Sequence, residues 1–107
     1  QPIGGGLSPL HWAVYNNHND LLEFLLSEGA SANNQADGIY QGRSPLHYAI
    51  SSRRAHMIDK LLDHGADPLL KDYEGRSPLD IAWSCYEDSE KPLYRQMIRT
   101  MESYLLR

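Results

Sequence analysis

Apolar residues fall at helical spacing in paired segments. Leu10, Ala13 and Val14 form one short stripe; Leu21, Leu22, Leu25 and Leu26 form a second, and the polar stretch 16–20 separates them. Recurrence at three- and four-residue steps marks a helix with one buried face, so the pattern predicts a short helix, a turn and a second helix. The pair returns at Leu46, Ala49 and Ile50, followed by Met57, Ile58, Leu61 and Leu62. In the last part of the chain Leu93, Met97, Ile98, Met101 and Leu105 mark a longer amphipathic helix, with Arg95, Arg99 and Glu102 on its other faces. Each first helix opens with Ser-Pro, at Ser8, Ser44 and Ser77. The serine hydroxyl can cap free N–H groups, and proline tolerates the first turn. Asn17 suits a left-handed turn between the two helices. Gly29 and Gly65 sit where a C-terminal cap needs positive φ. The polar, glycine-containing segments 30–43 and 66–76 then read as extended hairpin loops.

The same phrase accompanies each unit: "SPLHWAV" at 8–14, "SPLHYAI" at 44–50 and "SPLDIAW" at 77–83, with steps of 36 and 33 residues. A period of that size indicates stacked supersecondary units. The phrase, the spacing and the glycines together resemble ankyrin repeats, whose T-P-L-H-x-A phrase appears here with Ser for Thr. The resemblance implies an all-α fold, a solenoid of helix–turn–helix units with β-hairpin finger loops. It implies one domain over 1–107, with units at about 6–36, 37–70 and 71–107. Three residues depart from the family's pattern. Arg53 stands where Gly is usual, Leu69 where Asn33 keeps the usual Asn, and Asp80 in place of the phrase's His. In the third unit 15 residues separate Ala82 from Met97, against eight between Ala49 and Met57. The seven extra residues are expected between its helices, with Ser89 or Asp88 as a cap and Pro92 in the first turn of the last helix. Gly6 matches the turn glycine before a Ser-Pro, so residues 1–5 read as the remnant of a first finger. The first unit is then either an N-terminal cap or the continuation of further repeats.

Composition narrows the functions. A net charge of −4 argues against a phosphate-backbone ligand, where a basic patch would be expected, so nucleic acid is not an expected partner. The apolar clusters are far too short to span a bilayer, and no signal-peptide pattern or membrane association is expected. The single cysteine, Cys85, permits no internal disulfide and fits a reducing compartment, which points to cytoplasm or nucleus. A start at Gln1 instead of Met predicts a piece of a longer protein.

The residues that could carry chemistry fit the architecture better. His11 and His47 follow the repeat period, so each is expected to hydrogen-bond neighbouring hydroxyl and backbone groups and tie one unit to the next. His18, His56 and His64 complete no metal-ligand spacing and belong on the surface or in turns. Cys85 has no Cys-His motif around it, and the glycines 4–6 lack the Lys-Ser/Thr ending of a phosphate loop. No catalytic residue, cofactor or metal is therefore expected. Trp12, Tyr48 and Ile81 share one position in the phrase and are expected to pack. Trp83 is expected to fill space against the third helix pair.

The resemblance implies a non-catalytic module that binds other proteins through its finger tips and the concave face of its short helices. At the positions where the family makes variable contacts stand Ile3 and Leu7, then Tyr15 and Asn16 at the end of the first short helix. Ile39, Tyr40 and Arg43 follow on the second finger, Ser51 at the end of the second short helix, and Tyr73, Glu74 and Arg76 on the third finger. The second finger is three residues longer than the third: eleven steps separate Asn33 from Ser44, against eight from Leu69 to Ser77. Asp37-Gly38 marks a turn there, and the apolar pair Ile39-Tyr40 follows it. Tyr40 either meets a partner or folds back against Tyr73. The implied partner is a protein or peptide, basic peptides such as a histone tail included, with an aromatic cage around a methylated lysine as a sharper variant. A regulatory arm of a larger enzyme and a structural spacer are the competing roles. The isolated fragment is expected to be a monomer.

Overall fold

A computed structural model describes residues 7–106. They form six α-helices in three pairs: α1 (Pro9–Tyr15) with α2 (Asn19–Ser27), α3 (Pro45–Ser51) with α4 (Ala55–Asp63), and α5 (Pro78–Ser89) with α6 (Pro92–Leu105). The first helices α1, α3 and α5 stack side by side, and α2, α4 and α6 form a second layer behind them. The assembly measures 37 × 27 × 25 Å. None of these helices is long and apolar enough to cross a membrane.

The Ser-Pro starts work as the sequence predicts. Ser8, Ser44 and Ser77 each accept a hydrogen bond from the backbone N–H three residues on, and each residue at that position bonds back to the serine N–H. This reciprocal box satisfies two of the N–H groups that a helix start leaves free. Asn17 takes the left-handed turn between α1 and α2 at φ 57°, and Arg53 takes the same turn between α3 and α4 at φ 58°. Arg53 thus holds the conformation that suits the family's glycine. Gly29 and Gly65, both at φ 92°, end α2 and α4.

The stripes meet in one continuous core. Leu10, Ala13, Val14, Leu22 and Leu26 join Leu46, Ala49, Ile50, Met57, Ile58, Leu61 and Leu62, and then Ala82, Met97, Ile98 and Met101. Leu21, Leu25 and Leu93 are only partly buried, and Leu105 at the chain's end is exposed.

Several expectations change. The second finger makes one isolated antiparallel bridge, Ala36 to Arg43, and no strand is found among the described residues. Its tip is a 3-10 turn at Gly38–Tyr40, followed by Gln41 at φ 59° and Gly42 at φ 71°. In the third unit the extra residues lengthen the first helix: α5 runs on to Ser89, and Glu90 and Lys91 form the link. Leu79, Ala82 and Tyr86 lie at three- and four-residue steps and face the core, so the helix continues while its acidic residues stay in solvent. Neither Asp88 nor Ser89 caps α6; its N-cap is Lys91, with Pro92 in the first turn. The expectations for Ile3, Gly6 and the glycines 4–6 lie outside the described residues.

Candidate protein-interaction surface

Two histidines fix the fingers to the helices. His11 Nδ1 accepts from the backbone N–H and hydroxyl of Ser8, at 3.2 and 2.7 Å, while Nε2 donates to the Arg43 carbonyl at 2.8 Å. That carbonyl also accepts the Ala36 N–H at 2.9 Å. His47 repeats the arrangement one unit on: Nδ1 accepts from Ser44, Nε2 donates to the Arg76 carbonyl at 2.9 Å, and the Asp72 N–H reaches the same oxygen at 2.8 Å. Burial holds both imidazoles below their ordinary pKa, against the opposing pull of the carbonyls. Asp80 reproduces only the cap, taking the Ser77 N–H at 3.1 Å.

The second and third fingers are clamped together. The Tyr73 ring lies against Gly42, its hydroxyl donates to Asp37, and its backbone N–H donates to the Gln41 carbonyl at 2.8 Å. The Gln35 amide bridges the carbonyls of Gly42 and Lys71 at 3.0 and 2.9 Å. At the base, Arg43 lies 3.9 Å from Asp72 and 3.6 Å from Glu74, and Arg76 lies 2.7 Å from Glu74. Burial pushes the Asp72 carboxyl up, but the N–H groups of Arg76 and Glu74 outweigh it and hold the group below its ordinary value.

Beside this clamp is an aromatic cleft. Leu7, then Trp12 and Tyr15 of α1, Tyr48 of α3 and Tyr40 of the second finger line about 220 Å³. Trp12 stands edge-on to Tyr15, with centroids 6.3 Å apart and planes at 86°; Tyr15 stands edge-on to Tyr48 at 6.5 Å and 87°. Tyr48 in turn meets His11 at 5.6 Å. The indole N–H of Trp12 and the hydroxyls of Tyr15, Tyr40 and Tyr48 have no hydrogen-bond partner among the described residues. Two guanidinium groups act on residues of the cleft. Arg54 donates to the carbonyls of Val14 and Tyr15 at 3.4 and 3.1 Å, and Arg43 acts on the Tyr48 hydroxyl through its charge.

A family model described as ankyrin repeats, in three copies, matches residues 10–96. The chain belongs to the ankyrin repeat family. Among curated proteins none matches it. Ankyrin repeats generally mediate protein–protein interactions and form a non-catalytic interaction module.

Within the ankyrin stack the expected contact residues separate into three groups. Tyr15 and Tyr40 come together in the cleft. Arg43, Tyr73, Glu74 and Arg76 are engaged with one another, with Asp72 or with the second finger. Asn16, whose amide returns to the Trp12 carbonyl at 3.0 Å, Ser51, and Ile39 at 82% exposure stand in solvent outside the cleft. Tyr73, not Tyr40, is the ring that packs across the fingers.

Tyr48 and Ile81 are partly buried and pack against the core, as expected, though Tyr48 also lines the cleft; Trp12, 49% exposed, lines the cleft and does not join that packing. Trp83 is 43% exposed and stands edge-on to Tyr86, with ring centroids 6.2 Å apart. A signal for the cleft was present in the sequence: Trp12 and Tyr15 lie three residues apart, away from the face carrying Leu10, Ala13 and Val14.

Proposed function

We propose that this ankyrin-repeat domain is a non-catalytic binding module that holds an extended, uncharged, proline-containing segment of a protein partner in the aromatic cleft. The observation that carries the reading is the cleft itself: Trp12 and three tyrosines line one opening, their donors without a partner among the described residues. Aromatic-lined grooves suit polyproline segments, whose rings lie on the aromatic faces while their carbonyls accept from Trp and Tyr donors. The second finger, with Ile39 at its tip, flanks the segment. The guanidiniums of Arg43 and Arg54 disfavour a lysine in the cleft, so a basic histone-type peptide is the weaker reading.

Selection from a random peptide library tests this directly. Selected peptides should be enriched in proline and aliphatic residues. Trp12→Ala and Tyr40→Ser should each weaken their binding by more than ~1 kcal/mol, the scale of an interface anchor, with the melting temperature nearly unchanged. Enrichment in Lys or Arg, or binding indifferent to Trp12→Ala, would overturn the reading. Replacing Ile39 and Tyr40 together by Ser then separates the finger's part from that of the helices.

A further inference from the structure

The second layer of helices meets itself twice, and the two contacts share a register. Leu22 of α2, Ile58 of α4 and Ile98 of α6 hold one position of the repeat, and Met57 and Met97 hold another; all five are buried. Where α2 meets α4, the polar residues beside this apolar floor are Glu23 and Lys60, and they form an ion pair. The Lys60 side chain is only 31% exposed, so most of its stem is covered.

Where α4 meets α6, the corresponding residues are Asp59 and Thr100. The carboxylate is kept on a shorter stem, and the lysine is replaced by a short hydroxyl side chain. The space it would fill is open: a groove of about 190 Å³ has Ile58 and Met97 in its floor and His56, Asp59, Gln96 and Thr100 around them. No Lys or Arg lines it. Asp59 is in no ion pair, and the Gln96 amide has no hydrogen-bond partner, among the described residues. The Thr100 hydroxyl donates to the Gln96 backbone carbonyl at 3.0 Å, which leaves its oxygen free to accept.

We propose that the groove between α4 and α6 is a binding site for a lysine side chain presented by a protein partner. The chain supplies the precedent, because Lys60 fills the equivalent position one contact earlier. An ammonium carries three donors and no acceptor, and the groove offers three oxygen acceptors: the Asp59 carboxylate, the Thr100 hydroxyl and the Gln96 side-chain amide. The alkyl stem lies on Ile58 and Met97, as lysine stems do on apolar surface. A net charge of −4 favours the approach of a basic partner. The groove belongs to the second layer of helices, whereas α1, α3 and the second finger line the aromatic cleft, so the two proposals stand or fall separately.

The test titrates Nα-acetyl-lysine N-methylamide into the full chain and follows backbone amide shifts by NMR. Shifts should be confined to α4 and α6 around Asp59 and Thr100. They should vanish with Asp59→Asn, a surface change that leaves the fold intact, and with a probe acetylated on Nζ, which has lost its charge. Thr100→Lys supplies the ammonium from within the chain. That variant should no longer bind the probe and should have a higher denaturation midpoint than the parent. Part of the gain should be lost on adding Asp59→Asn, whereas a gain from helix propensity alone would survive it. Absence of shifts, shifts that persist in Asp59→Asn or with the acetylated probe, or a Thr100→Lys gain indifferent to Asp59 would overturn the proposal.

Discussion

The ring of His47 uses both nitrogens within the fold, one on the cap of its own helix and one on the next finger. His47→Ala leaves the Ser44 N–H and the Arg76 carbonyl each short of a buried partner. It should lower stability by ~1–3 kcal/mol, the range for an orphaned buried polar group, read from chemical denaturation. His47→Asp separates the two bonds, because Asp80 shows that a carboxylate at this position still makes the cap. That variant should fall between wild type and His47→Ala; equality with His47→Ala would mean that the bond to Arg76 carries nearly all the effect. Protonation acts on the same atoms. Nδ1 must be unprotonated to accept the Ser8 or Ser44 N–H, and burial lowers both folded-state pKa values from the ordinary 6.5. Between 6.5 and those lower values the unfolded chain binds more protons, so stability falls as pH drops through that window. Asp72, also held below its ordinary 3.8, adds a second loss as pH falls further through its own folded value. Denaturation midpoints should therefore be flat above neutrality and decline on acidification from about 6.5. A midpoint that rises on mild acidification would contradict this assignment of the rings.

At the scale of elements, the second finger shows what a long loop needs in order to hold one shape. Its two left-handed residues after the 3-10 turn bring Gly42 under the Tyr73 ring. A Cβ at Gly42 would collide with that ring, and φ 71° strains any L-residue. Gly42→Ala should therefore displace Tyr73, break its bond to Asp37 and destabilise the domain by roughly 1–3 kcal/mol. In a Tyr73→Ala background the same change should lose only the backbone part, and additivity in this cycle would refute the coupling. The Ser-Pro starts, the glycine turns and the apolar stripes were legible because each is set by residues within one or two helical turns. The clamp was not legible, since Tyr73 and Gly42 meet only after two units stack. The length of α5 was missed for a related reason: polar residues 87–90 read as a break, yet they occupy the solvent side of a helix whose inner side continues through Tyr86. Trp12 failed differently. Its helical position was readable, but the openness of that face depends on how the fingers and short helices lie together.

At the scale of the molecule, each unit touches only its neighbours, so stability is shared along a line. The middle unit joins the other two: α3 packs against α1 on one side and α5 on the other, and α4 lies between α2 and α6. Leu46, fully buried in α3, sits where both interfaces meet the core. Leu46→Ala should cost ~2–5 kcal/mol, the range for truncating a buried leucine, a large part of the 5–15 kcal/mol typical of a whole domain. A linear stack also predicts where the loss appears. Neither end pair buries enough surface alone, because about three repeats are needed for a stable stack. Weakening α3 should therefore loosen both ends together, and hydrogen exchange should speed up in α1–α2 and in α5–α6 to similar degrees. Protection retained in α5–α6 while α1–α2 opens would mean that the lengthened third unit folds apart from the rest, with α3 contributing little to it.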